Sequence, residues 1–430
     1  MSKLIPLKRV CKYSNERIER ENVTLENFVT TDNLLQNKLG ITAALSLPPQ
    51  ETNLPKFKVE NILVGNIRPY LKKIWFADRT GGCSADVLVF EVKKSFHPKF
   101  VYYSMFRDDF FSHAMKGSKG TKMPRGDKNQ LLEFLIPDYN ISIQKQIASV
   151  LFNLDAKIEL NNRINRELEQ MAKLLYDYWF VQFDFPDTKG KPYKSNGGKM
   201  VWNKELKREI PEGWEVKKLK EFADTGSGGT PLKSKDEFYL NGNIPWINSG
   251  EVNAPFIISA NKFITAEGLK NSSAKIFKRG TILMAMYGAT AGQVSFIDIE
   301  ACTNQAICAI NPHKSYFGTY LKFCLEDLYR YLINLSTGSA RDNLSQEKIQ
   351  DLQFLIPDKH LVKEFDKLAS SLFKKILTNM VENHHLTTLR DWLLPMLMNG
   401  QVRVGEAGKK EYQPNVAELD LAAEPGREMD

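Results

Sequence analysis

Leu135-Ile136-Pro137-Asp138 recurs as Leu355-Ile356-Pro357-Asp358, about 220 residues further along the chain. A four-residue match is weak alone, so its surroundings decide its weight. Upstream, Ile62-Leu63 corresponds to Ile282-Leu283, and Gly82-Cys83-Ser84 to Ala301-Cys302-Thr303. Downstream, Ala148-Ser149-Val150-Leu151-Phe152 corresponds to Ala369-Ser370-Ser371-Leu372-Phe373. These pairs keep one order and nearly one offset, which chance does not produce. The chain is a tandem duplication.

Both copies follow one plan. Short β-type runs, among them Val87-Leu88-Val89-Phe90 and Ile307-Cys308-Ala309-Ile310, are separated by Gly, Pro, Asn and Ser clusters. The Leu-Ile-Pro segment closes this region as a last strand, because proline brings no N–H to a ladder. A long helix follows. In the first copy Ile147, Leu151, Leu154, Ile158, Leu168, Ala172, Leu175 and Trp179 step by fours and threes, the spacing of a coiled-coil seam. Asn161 and Asn165 fall on that seam, where a buried amide fixes register at some cost in stability. In the second copy the stripe is Phe365, Leu368, Leu372, Ile376, Met380, Leu386, Leu389, Leu393 and Met396, and Gly400 ends the helix. One such stripe could simply pack on its own domain. Two, each longer than a domain could cover, predict an antiparallel coiled coil with pseudo-twofold symmetry. The expected fold class is α/β in the broad sense, α+β.

The expected boundaries are a first head over 1–140, a helix over 141–182 and a connector over 183–209. A second head over 210–358, a helix over 359–400 and a flexible tail over 401–430 complete the chain. Gly, Pro and Lys from Asp187 to Lys199 mark the connector as solvated.

Of the 430 residues, 42% are hydrophobic and 26% charged, enough for two or more ordinary globular cores. The net charge of +8 suits a polyanionic partner, though a mildly basic enzyme would show the same surplus. Five scattered cysteines without a Cys-x-x-Cys pair speak against a disulfide framework and a zinc site. No signal-type N-terminus and no run of 18 apolar residues occurs, so a cytoplasmic protein without a membrane segment is expected.

Ile210-Pro211-Glu212-Gly213-Trp214-Glu215-Val216, Gly229-Thr230-Pro231 and Gly242-Asn243-Ile244-Pro245-Trp246-Ile247 resemble the opening of a target recognition domain in the specificity subunits of type I restriction–modification enzymes. Leu160-Asn161-Asn162-Arg163-Ile164-Asn165, leading to Tyr178-Trp179-Phe180, resembles that family's spacer helix, with Leu393-Leu394-Pro395 near the matching place in the second copy. Gly120-Thr121-Lys122-Met123-Pro124-Arg125-Gly126-Asp127 looks like a loop from one group of its recognition domains. The likeness spans nearly the whole chain. It implies two recognition domains on a split double-stranded DNA site, held apart by spacer helices. Two methyltransferase subunits would bind those helices, and two motor–nuclease subunits would join for cleavage. This chain would hold no cofactor; S-adenosylmethionine, ATP and Mg²⁺ would belong to the partners. The heads differ in sequence, so the target should be asymmetric and bipartite. From Ile147 to Trp179 a helix spans roughly 50 Å, more than one DNA turn of roughly 34 Å, so it can serve as a ruler.

Basic residues of the first head concentrate in two loops. One carries Arg68, Lys72 and Lys73; the other is Gly-punctuated and carries Lys116, Lys119, Thr121, Lys122 and Arg125. Lysine supplies charge to phosphates, and arginine can also fork onto guanine. In the second head the candidates are Tyr287, then Ser339, Arg341 and Asn343, and a loop with Ser227, Thr230 and Lys233 suited to phosphate contact through backbone N–H groups. Solvated loops with incidental charge are the plain alternative for any one of these.

Catalytic patterns are missing. Gly226-Ser227-Gly228-Gly229-Thr230 lacks the Lys-Ser ending of a nucleotide cradle, and Pro48-Pro49 lacks the flanks of an amino-methyltransferase turn. Asp187 with Glu215 and Lys217 only mimics a nuclease, and His384-His385 has no further metal-type ligand nearby. The chain is therefore expected to be non-catalytic. An enzyme with an unfamiliar site and a purely structural coiled coil are the alternatives; turnover by the chain alone, or absence of salt-dependent DNA binding, would select them.

Overall fold

The computed structural model describes residues 3–49, 53–118, 120, 122–286, 290–335 and 345–404. The chain forms two compact units, Met1–Lys157 with Leu386–Asp430, and Ile158–His385. The division cuts both long helices, Ile141–Tyr176 and Lys359–Met398, so each unit owns one head and a stretch of each helix.

In the first unit Ile62–Gly65 lies between Val87–Val92 and Ile74–Phe76, antiparallel to both, and Cys11–Tyr13 extends the sheet beyond Val87–Val92. Side chains alternate across a strand. Ile62, Val64, Leu88 and Phe90 therefore enter one core cluster, while Leu63, Val87 and Val89 enter another. Burial on both faces explains why these strands read as unbroken apolar runs. A second sheet has the order Arg17–Glu19, Asn53–Phe57, Gly81–Cys83, Phe28–Val29, the last pair parallel.

The second unit repeats this register. Ile62↔Phe90 and Leu63↔Val89 return as Ile282↔Ile310 and Leu283↔Ala309, and Ile62↔Phe76 as Ile282↔Phe296. The split of side chains between two clusters also returns, with Ile282 and Met284 in one and Leu283 and Ala285 in the other. The parallel pair becomes Ile244–Ile247 against Ala301–Thr303. In both heads the Leu-Ile-Pro strand is the closing one. Leu135–Pro137 pairs antiparallel with Leu4–Pro6, and Gln353–Ile356 with Glu215–Lys218. The class is α+β, with mostly antiparallel sheets.

Within each unit the two helix stretches run antiparallel. In the first, Ile147, Ala148 and Leu151 share a cluster with Leu394, Leu397 and Met398. In the second, Ala172, Tyr176 and Trp179 share one with Phe365, Ala369, Phe373 and Ile376. Leu168, Leu175 and Leu372 pack at its margin, and Leu393 at the margin of the first cluster. Leu154, Ile158 and Leu386 are half-buried. Asn161 donates to Glu382 at 2.7 Å and to Asn383 at 2.9 Å, and Asn379 donates to Asn165 at 2.8 Å. Leu389 departs from the expected seam, being 43% exposed, as does Leu368 at 48%. Beside Leu389 the inward place goes to Arg390, whose guanidinium reaches Asp155 at 2.7 Å, and Asp155 also accepts the Tyr103 hydroxyl at 2.6 Å. Gly400 (φ +72°) ends the helix: Gln401 N–H donates to the Met396 carbonyl at 2.9 Å and Gly400 N–H to that of Leu397 at 3.3 Å, a Schellman cap.

The stretch expected to be solvated, residues 187–199, is largely exposed, but the chain on either side of it is docked. Phe183 and Phe185 are buried, Phe185 stacks between Tyr193 and Trp214 (centroids 4.6 and 5.2 Å), and Met200–Asn203 forms a hairpin with Arg208–Pro211. Asp187 spends its carboxylate on the N–H groups of Lys189 and Lys191, which makes it a turn residue.

Candidate nucleic-acid interface

The two basic loops of the first head, about fifty residues apart in sequence, are tied together by their backbones. Arg68 N–H donates to the Pro124 carbonyl at 2.7 Å, Gly126 N–H donates to that of Asn66 at 3.2 Å, and Ile67 bridges Arg125. Arg68 and Lys72 are both left-handed (φ 52° and 51°) and bracket the single turn Pro69–Leu71. A non-glycine residue held there costs free energy, so the packing around it must fix the loop. Two glycines in this region serve packing. A Cβ on Gly117 would collide with the Gln130 amide, and one on Gly126 would meet Asn66 Oδ1 at 2.9 Å.

The candidate cations fare differently. Lys116, Lys122 and Arg125 are exposed, Arg125 in an ion pair with Asp86 at 3.0 Å. Lys72 and Lys38 share Asp108, at 2.8 and 2.9 Å. Partial burial pulls that carboxyl upward, but hydrogen bonds from both lysines prevail and hold it below the ordinary range. Lys73 is a correction. Only 8% exposed, it packs its stem over Gly65 and gives its ammonium to the Thr31 carbonyl, and desolvation lowers its pKa. It cannot meet a phosphate without leaving that site. Asn66 Oδ1 and Arg68 Nε are buried without a partner. Lys119 and Thr121 lie outside the described residues.

In the second head Thr230 donates to Gln305 at 2.6 Å, Ser227 lies at 3.4 Å from the Gln305 carbonyl, and Lys233 is exposed. The glycines of this loop face the protein's own chain. A Cβ on Gly228 would stand 2.0 Å from the Thr303 carbonyl oxygen, and one on Gly229 would stand 2.2 Å from Ser273 Oγ. Gly229 N–H already donates to Thr303 at 2.9 Å, and its carbonyl accepts Trp246 Nε1 at 2.9 Å. The glycine pair lets the loop press inward. Tyr287, Ser339, Arg341 and Asn343 lie outside the described residues.

Two exposed features escaped the sequence reading. Tyr70, in the first basic loop, is 50% exposed. Met171, Leu174, Tyr178 and Val181 are exposed in the second unit, beside the buried set Ala172, Tyr176, Trp179 and Phe180. Met171 and Leu174 lie on the last turns of the α-helix, and Tyr178 and Val181 on the π-helical turn Asp177–Val181 that continues it; the seam search passed over all four. The five thiols are buried or half-buried, and desolvation pushes four of them up to about 12. Among the described residues no helix is long and apolar enough to cross a membrane.

Two heads of one strand register, each seated on paired long helices, define a duplicated recognition architecture. The model of the type I restriction modification DNA specificity domain matches it twice, over residues 8–170 and 211–381, and the chain belongs to that family. It is 28% identical over 439 residues to the type I restriction enzyme HindI specificity subunit of Haemophilus influenzae, covering 87% of this chain and 94% of that one. The MjaIX specificity subunit of Methanocaldococcus jannaschii is 27% identical over 312 residues, covering 72% of this chain and 70% of that one. The crystal structure of a type I restriction–modification S subunit from M. genitalium superposes with a TM-score of 0.55 at 17% identity, covering 93% of this chain and 96% of that one. That likeness concerns the fold.

Proposed function

We propose that the chain is the sequence-reading, non-catalytic subunit of a type I restriction–modification assembly acting in the cytoplasm. Each head grips one half of an asymmetric, bipartite site in double-stranded DNA. Two methyltransferase subunits and two motor–nuclease subunits carry out the reactions, and they bind the S-adenosylmethionine, ATP and Mg²⁺. The observation that carries this reading is the preserved strand register beneath unlike edge loops: one scaffold used twice, with a different loop sequence each time. Arg68, Lys72, Lys116, Lys122 and Arg125 supply the contacts of the first half-site, with Lys119 and Thr121. Lys233, Thr230, Ser227, Tyr287, Ser339, Arg341 and Asn343 supply those of the second. The exposed side chains of Met171, Leu174, Tyr178 and Val181 support a partner clasping the helices, since large apolar groups left in water close together in sequence favour being covered.

Methylome sequencing after co-expression with the cognate methyltransferase subunit tests this. The expected result is one asymmetric motif in two parts around an unread gap of fixed length. A continuous or palindromic motif overturns the bipartite reading. Methyl transfer or cleavage by the isolated chain, given S-adenosylmethionine and Mg²⁺, overturns the non-catalytic one.

A further inference from the structure

Tyr70 stands out in the first unit. Among its described residues outside the two long helices, it is the one exposed aromatic ring; Trp75, Phe90, Phe100, Phe110 and their neighbours are buried. Met123 on the adjoining loop is also 50% exposed. Both have cations as sequence neighbours: Arg68 and Lys72 around Tyr70, Lys72 paired with Asp108, and Lys122 and Arg125 around Met123, Arg125 paired with Asp86. Ring and thioether are therefore presented where a polyanion would be held.

The mounting is stiff. Pro69 fixes the backbone before Tyr70, the left-handed Arg68 and Lys72 close the turn on either side, and Arg68 N–H is bonded to Pro124 one residue beyond Met123. Asp127 then caps the following helix, accepting from the N–H groups of Asn129 and Gln130 at 2.9 and 3.0 Å. An aromatic ring on a stiff turn, framed by cations, is the arrangement that enters a base stack, because little backbone need be ordered on contact and the cations supply the attraction.

We propose that Tyr70, assisted by Met123, is a wedge that opens one base step in the half-site read by the first head. Tyr70 stacks on the exposed base face while the surrounding cations hold the flanking phosphates. The wedge confers selectivity for an easily unstacked step without hydrogen bonding to a base edge. This rests on the DNA-reading function proposed above and deepens it.

The test uses the full chain assembled with its cognate methyltransferase and duplexes carrying the motif mapped by methylome sequencing. 2-Aminopurine is placed at successive positions of the first half-site. Wild-type protein should raise fluorescence at one step. Tyr70→Ala should abolish that rise and weaken binding to the motif about tenfold or more, with less effect on random duplex, while Tyr70→Trp keeps both signals. Thermal stability should stay unchanged, since the ring is not in the core. The wedge is refuted if no step responds to wild-type, if Tyr70→Ala binds the motif as tightly as wild-type, or if it loses the methyltransferase instead of DNA. Failure of the underlying reading looks different: wild-type protein would then show no preference for any motif.

Discussion

Replacing Asn379 by Leu should destabilise the paired helices, and replacing Asn165 as well should restore most of the loss. Asn379 is 1% exposed and Asn165 8%, and their amides are bonded to each other at 2.8 Å. Removing one partner leaves the Asn165 carbonyl oxygen buried without a donor, which costs about 1–3 kcal/mol. Replacing both removes the stranded group and adds apolar surface, so the double variant should lie near wild-type or above it. The coupling in a double-mutant cycle should then be about 1–2 kcal/mol, well beyond the error of denaturant unfolding. Additive losses in the two single variants would refute the reasoning, because they would mean that neither amide depends on the other. The amides also specify alignment, as a polar layer in an apolar seam forbids sliding by a turn. The double variant should therefore show a less uniform unread gap in methylome data even where its stability is unimpaired.

Deleting four residues from each long helix shortens it by about 6 Å, and the unread gap should contract by about two base pairs; an unchanged gap in the methylation pattern removes the ruler. Gly228→Ala should cost about 1–3 kcal/mol in thermal unfolding, because its methyl group would stand against the Thr303 backbone; weakened DNA affinity with normal stability would instead mean that this glycine faces the DNA. Burial pushes the Asp366 carboxyl up despite its bond from Thr319. The folded state thus binds that proton more tightly than the unfolded one, and stability falls as pH rises from ~4 through the raised folded value. Asp366→Asn should raise the melting temperature at pH 7 and leave it little changed at pH 4. Arg125→Ala should weaken binding to the motif by ~1–3 kcal/mol if Arg125 reads a base, whereas an equal loss on random duplex marks a phosphate contact.

Much of the architecture was legible because burial leaves a periodic trace. Ile62-Leu63-Val64 and Ile282-Leu283-Met284 read as buried strands since both faces are covered, and the repeat located them twice. Individual placements were harder where a polar group does the work of an apolar one. Arg390 displaces Leu389 from the seam only because Asp155 waits on the other helix, a coincidence that no local period encodes. Lys73 reads as a surface cation, yet Gly65 leaves a channel for its stem. Around the connector the two signals coexist: Phe183, Phe185 and Trp214 mark the docked flanks, while the Gly, Pro and Lys between them mark the exposed stretch. The glycines at 228 and 229 carry an ambiguous signal, because glycine marks any close backbone approach, whether to a ligand or to the protein's own chain.

The strand pairs that close the heads have a further consequence. With Leu4–Pro6 beside Leu135–Pro137, and Glu215–Lys218 beside Gln353–Ile356, the chain enters and leaves each head through neighbouring strands. Everything between those two points hangs from a doorway one strand-spacing wide. A foreign head whose ends meet at the same separation could be spliced in there without disturbing the helices. New sequence preferences could thus arise by exchange of whole cassettes, with no need for gradual rebuilding of loops.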